Sequence, residues 1–167
     1  MKKSRKSRFN IIGITVFEIS FCLLALVVFP SLGLAQKKGK LITLGDEVIP
    51  DPLVVRGETG GKHKAADLLD TEGTSTGFCN GFVNKKPNHT LILSNFFDFL
   101  KIEVNSNSDT SLIIEGPGGV WCNDDFHGIN PLIEGQWQPG NYKIWVGSYQ
   151  KNNDWDYQMK ITSKSSW

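Results

Sequence analysis

Little in this sequence is built for catalysis or for gripping a nucleic acid. It has three cysteines and three histidines in 167 residues, and it lacks a G-x-S-x-G elbow, an H-E-x-x-H helix and a C-x-x-C pair, the local signatures of nucleophilic and zinc chemistry. Gly57-Glu58-Thr59-Gly60-Gly61 precedes Lys62, but the G-x-x-x-x-G-K-[ST] spacing that cradles phosphates is missing, so a glycine turn is expected there. Beyond residue 36 no run of Lys or Arg exceeds a pair, which argues against a nucleic-acid partner, whose phosphates demand a basic face. Helical periodicity is nearly absent: only Lys62–Leu69 offers about two turns, too few to be stable alone. There is no internal repeat.

What is present begins with an asymmetry of charge. The total of 18 Lys+Arg and 17 Asp+Glu hides five bases and one acid in residues 1–35, which leaves 13 bases and 16 acids for the remainder. Basic Met1–Arg8, apolar Phe21–Phe29, and Gly33 and Ala35 at the −3 and −1 places together have the form of an export signal over residues 1–35. An uncleaved anchor is the alternative, and the only route to a membrane; Glu18 and Pro30 interrupt its apolar stretch. Cys22 leaves with the signal, so Cys79 and Cys122 remain as an even pair. In an oxidising compartment they are expected to form a disulfide that stabilises the fold by about 3–4 kcal/mol. The expected address is therefore periplasmic or extracellular.

Residues 36–51 read as a polar lead-in ending at Pro50 and Pro52, with the folded domain over 52–167. Period-2 alternation marks the strands, because successive side chains point to opposite faces of a sheet. Trp155, Tyr157, Met159 and Ile161 form one apolar set, Leu100, Ile102 and Val104 another, and Tyr142, Ile144 and Val146 a third. Lys143, Trp145 and Tyr149 lie opposite that third set, so both faces there are open to partial cover. Gly116-Pro117-Gly118-Gly119 and Gln138-Pro139-Gly140-Asn141 carry the chemistry of tight hairpin-type reversals. Sheets that are apolar on one face must cover it with another layer. The expected fold is all-β: an antiparallel two-sheet sandwich, jelly-roll-like, of about eight strands.

Candidate site residues fall in three groups. Asn123, Asp124, Asp125 and Asn130, joined by Asp109 if the following hairpin brings it round, offer the oxygen ligands calcium takes. The same residues equally form Asx turns that satisfy backbone donors, and the D-x-D-x-D-G spacing of a dedicated calcium loop is absent. Trp121, Trp137, Trp145, Trp155 and Trp167 crowd the C-terminal third. Trp155 reads as core, while Trp145 with Tyr149 is the candidate aromatic platform for a glycan. His63, His89 and His127 complete the set. His89 reads as bracing a turn at a strand entrance. His127 joins Asp124 and Asp125 in the alternative reading of a hydrolase, for which the three side chains must converge in a pocket.

The segments Asp109–Asp125, Gly128–Pro131 and Gly135–Tyr149, with their D-T-x-L, C-N-D-D and G-x-W-x-x-G-x-Y-x-x-W-V-G-S patterns, carry a resemblance. From about Pro52 to Thr162 the chain resembles small exported bacterial β-sandwich proteins, many of them cyanobacterial and uncharacterised. More distantly it is similar to the bacterial pre-peptidase C-terminal domain. The resemblance implies a jelly-roll-like sandwich serving as an accessory or binding module rather than a catalyst. Domains of the distant family accompany secreted peptidases and bind matrix polymers or calcium, but no peptidase is attached here. The resulting expectation is a non-catalytic binding or cell-envelope module, calcium-stabilised or glycan-binding, with an envelope polymer or a secreted protein as partner. The alternatives are the hydrolase and, by analogy alone, an exported partner or inhibitor of a peptidase.

Overall fold

A computed structural model describes residues 40–165, so the segment read as an export signal and Trp167 lie outside the described residues. In chain order the elements are β1 (Lys40–Leu44), β2 (Leu53–Glu58), β3 (His63–Lys64), α1 (Ala65–Leu69), β4 (Gly73–Thr74), β5 (Gly77–Phe78), β6 (Phe82–Val83), β7 (His89–Leu93), β8 (Phe97–Ser106), β9 (Thr110–Gly116), β10 (Gly119–Asn123), β11 (Leu132–Trp137), β12 (Gly140–Ser148) and β13 (Asp156–Thr162). Two sheets form a sandwich. One has the order β1-β7-β12-β6-β3, with β9 also paired to β12 and β10 to β9; the other has the order β11-β8-β13-β2. β4 and β5 make a separate two-stranded ribbon.

Alternation translates directly into burial. In β13, Tyr157, Met159 and Ile161 are buried and their neighbours are not; in β8, Leu100, Ile102 and Val104 follow the same rule. These side chains meet Leu91, Leu112, Ile114 and Ile144 of the opposing sheet in one continuous core. Each such side chain removed from water contributes about 1.5–3 kcal/mol. Trp137 is held within the core by its indole N–H, which donates to the Leu100 carbonyl at 2.9 Å, and its ring lies 5.0 Å from that of Tyr142. Trp155 departs from the expected stripe: it precedes β13 and is 41% exposed.

The structure corrects the predicted plan in four places. The folded unit starts by Lys40 and not at Pro52: the patch Leu41–Leu44 alternates as a strand, sending Ile42 and Leu44 into the core, and Val48 follows them. That strand pairs with β7 in parallel, Lys40 opposite His89 and Leu44 opposite Leu93, within a sandwich otherwise paired antiparallel. Among the described residues the strands number thirteen rather than about eight, because several are two-residue pieces that no alternation can reveal. Finally, Gly116–Gly119 does make the β9–β10 hairpin, whereas Gln138–Asn141 carries the chain from β11 in one sheet to β12 in the other.

A second apolar cluster covers the outer face of the larger sheet. Ala65, Cys79, Val83, Ile113, Cys122 and Trp145 pack together there, with Leu68, Leu69 and Val120 against them. Lys62–Leu69, read as two helical turns, supplies a five-residue helix, and the apolar end of that helix joins this layer. Cys79 and Cys122 are disulfide-bonded, tying the covering segment to β10.

Candidate functional site

The amides singled out around Asn123 are tied into the backbone. Asn123 Oδ1 accepts from the Leu132 N–H at 3.1 Å and its amide nitrogen donates to the Thr76 carbonyl at 3.0 Å. Asn130 Oδ1 accepts from the Ser106 N–H at 2.9 Å. Both amides thus serve the backbone. Asp124 accepts from Asn80 Nδ2 at 2.5 Å. Asp109 lies near enough to feel Asp125 and Asp124: burial, and then those two charges, push its carboxyl above the ordinary value. Among the described residues no group of three or more His, Cys, Asp or Glu is placed to hold a metal ion. Each of the two amide oxygens thus has one lone pair engaged by a backbone N–H.

The other candidates also separate. Trp145 is 4% exposed, beneath the segment that carries Cys79, while Tyr149 is 62% exposed, so they form no common platform. His127 is exposed and packs edge-on against Phe126, with 4.8 Å between ring centroids. Neither it nor Asp124 nor Asp125 lines the large cleft described next.

That cleft, of about 910 Å³, opens at the end of the sandwich where β2, β3, β7 and β13 begin or end, and sequence reasoning missed it. The wall on one side is the Gly57–Gly61 turn. Thr59, fully buried, clamps it by donating its N–H to the Trp155 carbonyl at 2.8 Å and accepting the Trp155 N–H on Oγ1 at 3.0 Å. Gly61, at φ +148°, lies so close to Val83 that a Cβ would stand 2.0 Å from its carbonyl carbon. Only glycine allows that contact and that conformation.

The floor is a hydrogen-bonded pair that bridges the two sheets. His89 enters β7 on its inward face, Tyr157 enters β13 on its inward face, and Nε2 lies 2.7 Å from the phenol oxygen. The rings meet edge to face. Asn88 stands beside the same phenol and is itself anchored, accepting from the Val146 N–H at 3.0 Å and donating to the Glu58 carbonyl at 2.9 Å. His89 therefore braces the sandwich rather than a turn. Burial, followed by the charge of Lys40, pushes its pKa down to about 4. Burial pushes the Tyr157 phenol up. His89 Nδ1 has no partner among the described residues.

Gly57 sits directly across from Tyr157, and a Cβ there would stand 2.5 Å from the phenol oxygen. Gly57→Ala is accordingly expected to push the tyrosine off His89 and cost about 1–3 kcal/mol. Urea denaturation measures the loss; unchanged stability together with an unchanged His89 NMR titration would sink the assignment.

Around this floor stand Lys40, Arg56, Lys62, Lys85 and Lys86, against two acids, Glu58 and Asp154. The signal available in the sequence was faint: the Lys85-Lys86 pair, and a glycine turn just ahead of Lys62.

No family model matches the chain. It is similar to an uncharacterised protein of Synechococcus elongatus, 30% identical over 88 residues, an alignment that spans 50% of this chain and 65% of that protein. The chain thus covers less than two thirds of that relative's length. Among solved structures it is similar to the pre-peptidase C-terminal domain of a collagenase from Bacillus anthracis, at 10% identity and a TM-score of 0.44, covering 75% of this chain and 97% of that domain. It is also similar to Aeromonas hydrophila PliG, a periplasmic inhibitor of g-type lysozyme, at 12% identity and a TM-score of 0.38, covering 74% and 96%. The cyanobacterial protein and the pre-peptidase domain are the two likenesses to which the sequence motifs pointed.

Proposed function

We propose that the protein is an exported, non-catalytic binding module of the cell envelope, and that its ligand face is the cleft over His89 and Tyr157. The observation that carries this reading is the state of that floor. A general acid or base works best with a pKa near the operating pH and a path to the substrate. Here the histidine is held neutral with a pKa of about 4, and the phenol is raised. Both are 3% exposed. The pair is suited to bracing a binding surface and poorly suited to moving protons. Export is supported by the basic–apolar–small order of residues 1–35 and by the Cys79–Cys122 bond, which persists in oxidising compartments.

The test is co-sedimentation of the oxidised protein with isolated insoluble envelope polymers. The protein is expected in the pellet, with no soluble fragments released. Asn84 is exposed and lines the cleft, so Asn84→Trp plugs it without touching the core and is expected to leave the protein in the supernatant. Release of soluble fragments by the wild type would establish catalysis instead. Undiminished pelleting of Asn84→Trp would move the ligand face elsewhere.

A further inference from the structure

We infer that the ligand of this cleft is an acidic glycan, a sugar chain bearing carboxylates, held by Lys40, Arg56, Lys62, Lys85 and Lys86. This deepens the binding-module reading and rests on it. Residues 40–165 contain 11 Lys+Arg and 16 Asp+Glu, an acidic body. Yet the cleft takes five of those bases and only two of those acids. Whatever pairs Glu58 and Asp154 make, cationic groups remain in surplus there. A concave site lined by one sign of charge raises the local concentration of ligands of the opposite sign.

The five bases come from four separate stretches of chain and surround about 910 Å³, near the upper end of the roughly 300–1,000 Å³ typical of ligand pockets. Lysine ammonium groups act as point charges and do not form the rigid fork that grips one planar anion. Dispersed point charges around a large open space suit charges repeated along a chain better than a lone ion.

Among the described residues Tyr157 is the only aromatic residue of the lining apart from two histidines, and it is buried with its ring over Gly57. Nucleobases bind single-strand grooves by stacking on exposed aromatic rings, and neutral sugars use the same faces. Among the described residues neither platform exists in the cleft. The lining offers instead the exposed amides of Asn84 and Asn152, each able to donate to and accept from sugar hydroxyls. An acidic peptide would bring far fewer hydroxyls to these groups.

Isothermal titration of the oxidised protein with polygalacturonate, neutral dextran and polyglutamate decides the matter. Polygalacturonate is expected to bind, weakening about tenfold or more on raising salt from 0.05 to about 0.5 M as the Debye length shrinks. Lys85→Glu/Lys86→Glu is expected to weaken it by a similar factor. Lys62→Glu, from a different wall of the cleft, should act in the same direction. Lys164→Glu, which lies outside the cleft, should leave binding unchanged. Melting temperatures of all variants are measured alongside; all four of these lysines are exposed, so their replacement leaves the core untouched. Dextran binding that Asn84→Trp removes and Lys85→Glu/Lys86→Glu spares would keep the cleft as the ligand face and overturn the acidic ligand. Polyglutamate binding as tight as polygalacturonate would overturn the glycan. Silence toward polygalacturonate would overturn the inference while the pelleting experiment decides the binding-module reading separately.

Discussion

Removing the bond between Cys79 and Cys122 is expected to lower stability by about 4 kcal/mol. The bridge spans a sequence separation of 43, and the chain-entropy cost lifted from the unfolded state by closing a loop of that size is of this order. A domain of this size should then melt on the order of 15 °C lower. The structure says where the loss begins. Cys79 anchors the stretch carrying α1, β4 and β5 against β10, and this stretch, with Ala65, Leu68 and Leu69, is what covers Trp145. Trp137 belongs to the main core and touches none of it. Reduction, or Cys79→Ala with Cys122→Ala, should therefore red-shift part of the tryptophan emission at temperatures below global unfolding. A Trp145→Phe variant should remove that early shift. Identical melting and emission before and after reduction would refute the assigned role.

Acid is expected to cost on the order of 3 kcal/mol through His89 alone. The unfolded side chain has the ordinary value of 6.5 and the folded one about 4, so between those values the unfolded state binds the extra proton. The histidine's contribution is complete above pH 6.5 and disappears as pH falls toward 4. Protonation would place a second cation beside Lys40, within a bridge whose other members, Tyr157 and Asn88, are neutral. Other groups act in different directions or windows. Asp109, whose pKa is raised, becomes less destabilising as pH falls. For Asp51, burial works upward but hydrogen bonds from Thr162 and Ser163 prevail and lower the pKa; its contribution is present above its ordinary 3.8 and is lost only as pH falls below that. Urea midpoints measured between pH 7 and pH 4 should fall steeply for the wild type and nearly level for His89→Gln. Equal slopes in the two proteins would show that the histidine is not the responsible group.

The binding site was much less legible than the fold. Alternation at 157–161 and 100–104 revealed which side chains enter the core, because that is a property of the strand alone, and it failed at Trp155, which lies ahead of the strand. Trp145 could not be read the same way. Its position opposite Ile144 and Val146 was correct, but whether that face meets water depends on residues 65–83 folding over it. Pro50 and Pro52 looked like a boundary, yet β1 lies ahead of them and finds its partner in β7, more than forty residues away. The Asn123–Asn130 cluster was visible as composition; only hydrogen bonding to Ser106, Thr76 and Leu132 showed that its amides were already committed.

The sequence by itself determined the β class, the inward stripes and the even cysteine pair, since each follows from local periodicity or from counting. Tertiary structure alone decided the proposed ligand face. Lys40, Arg56, Lys62 and the Lys85-Lys86 pair are scattered through residues 40–165, which are net acidic, and no run among them signals a basic surface. They come together because β1 pairs with β7, β2 pairs with β13, and the Gly57–Gly61 turn folds against Val83. Periodicity tells a side chain which face of its strand to occupy. Which neighbours it meets there is set by strand order and register, and those belong to the folded whole.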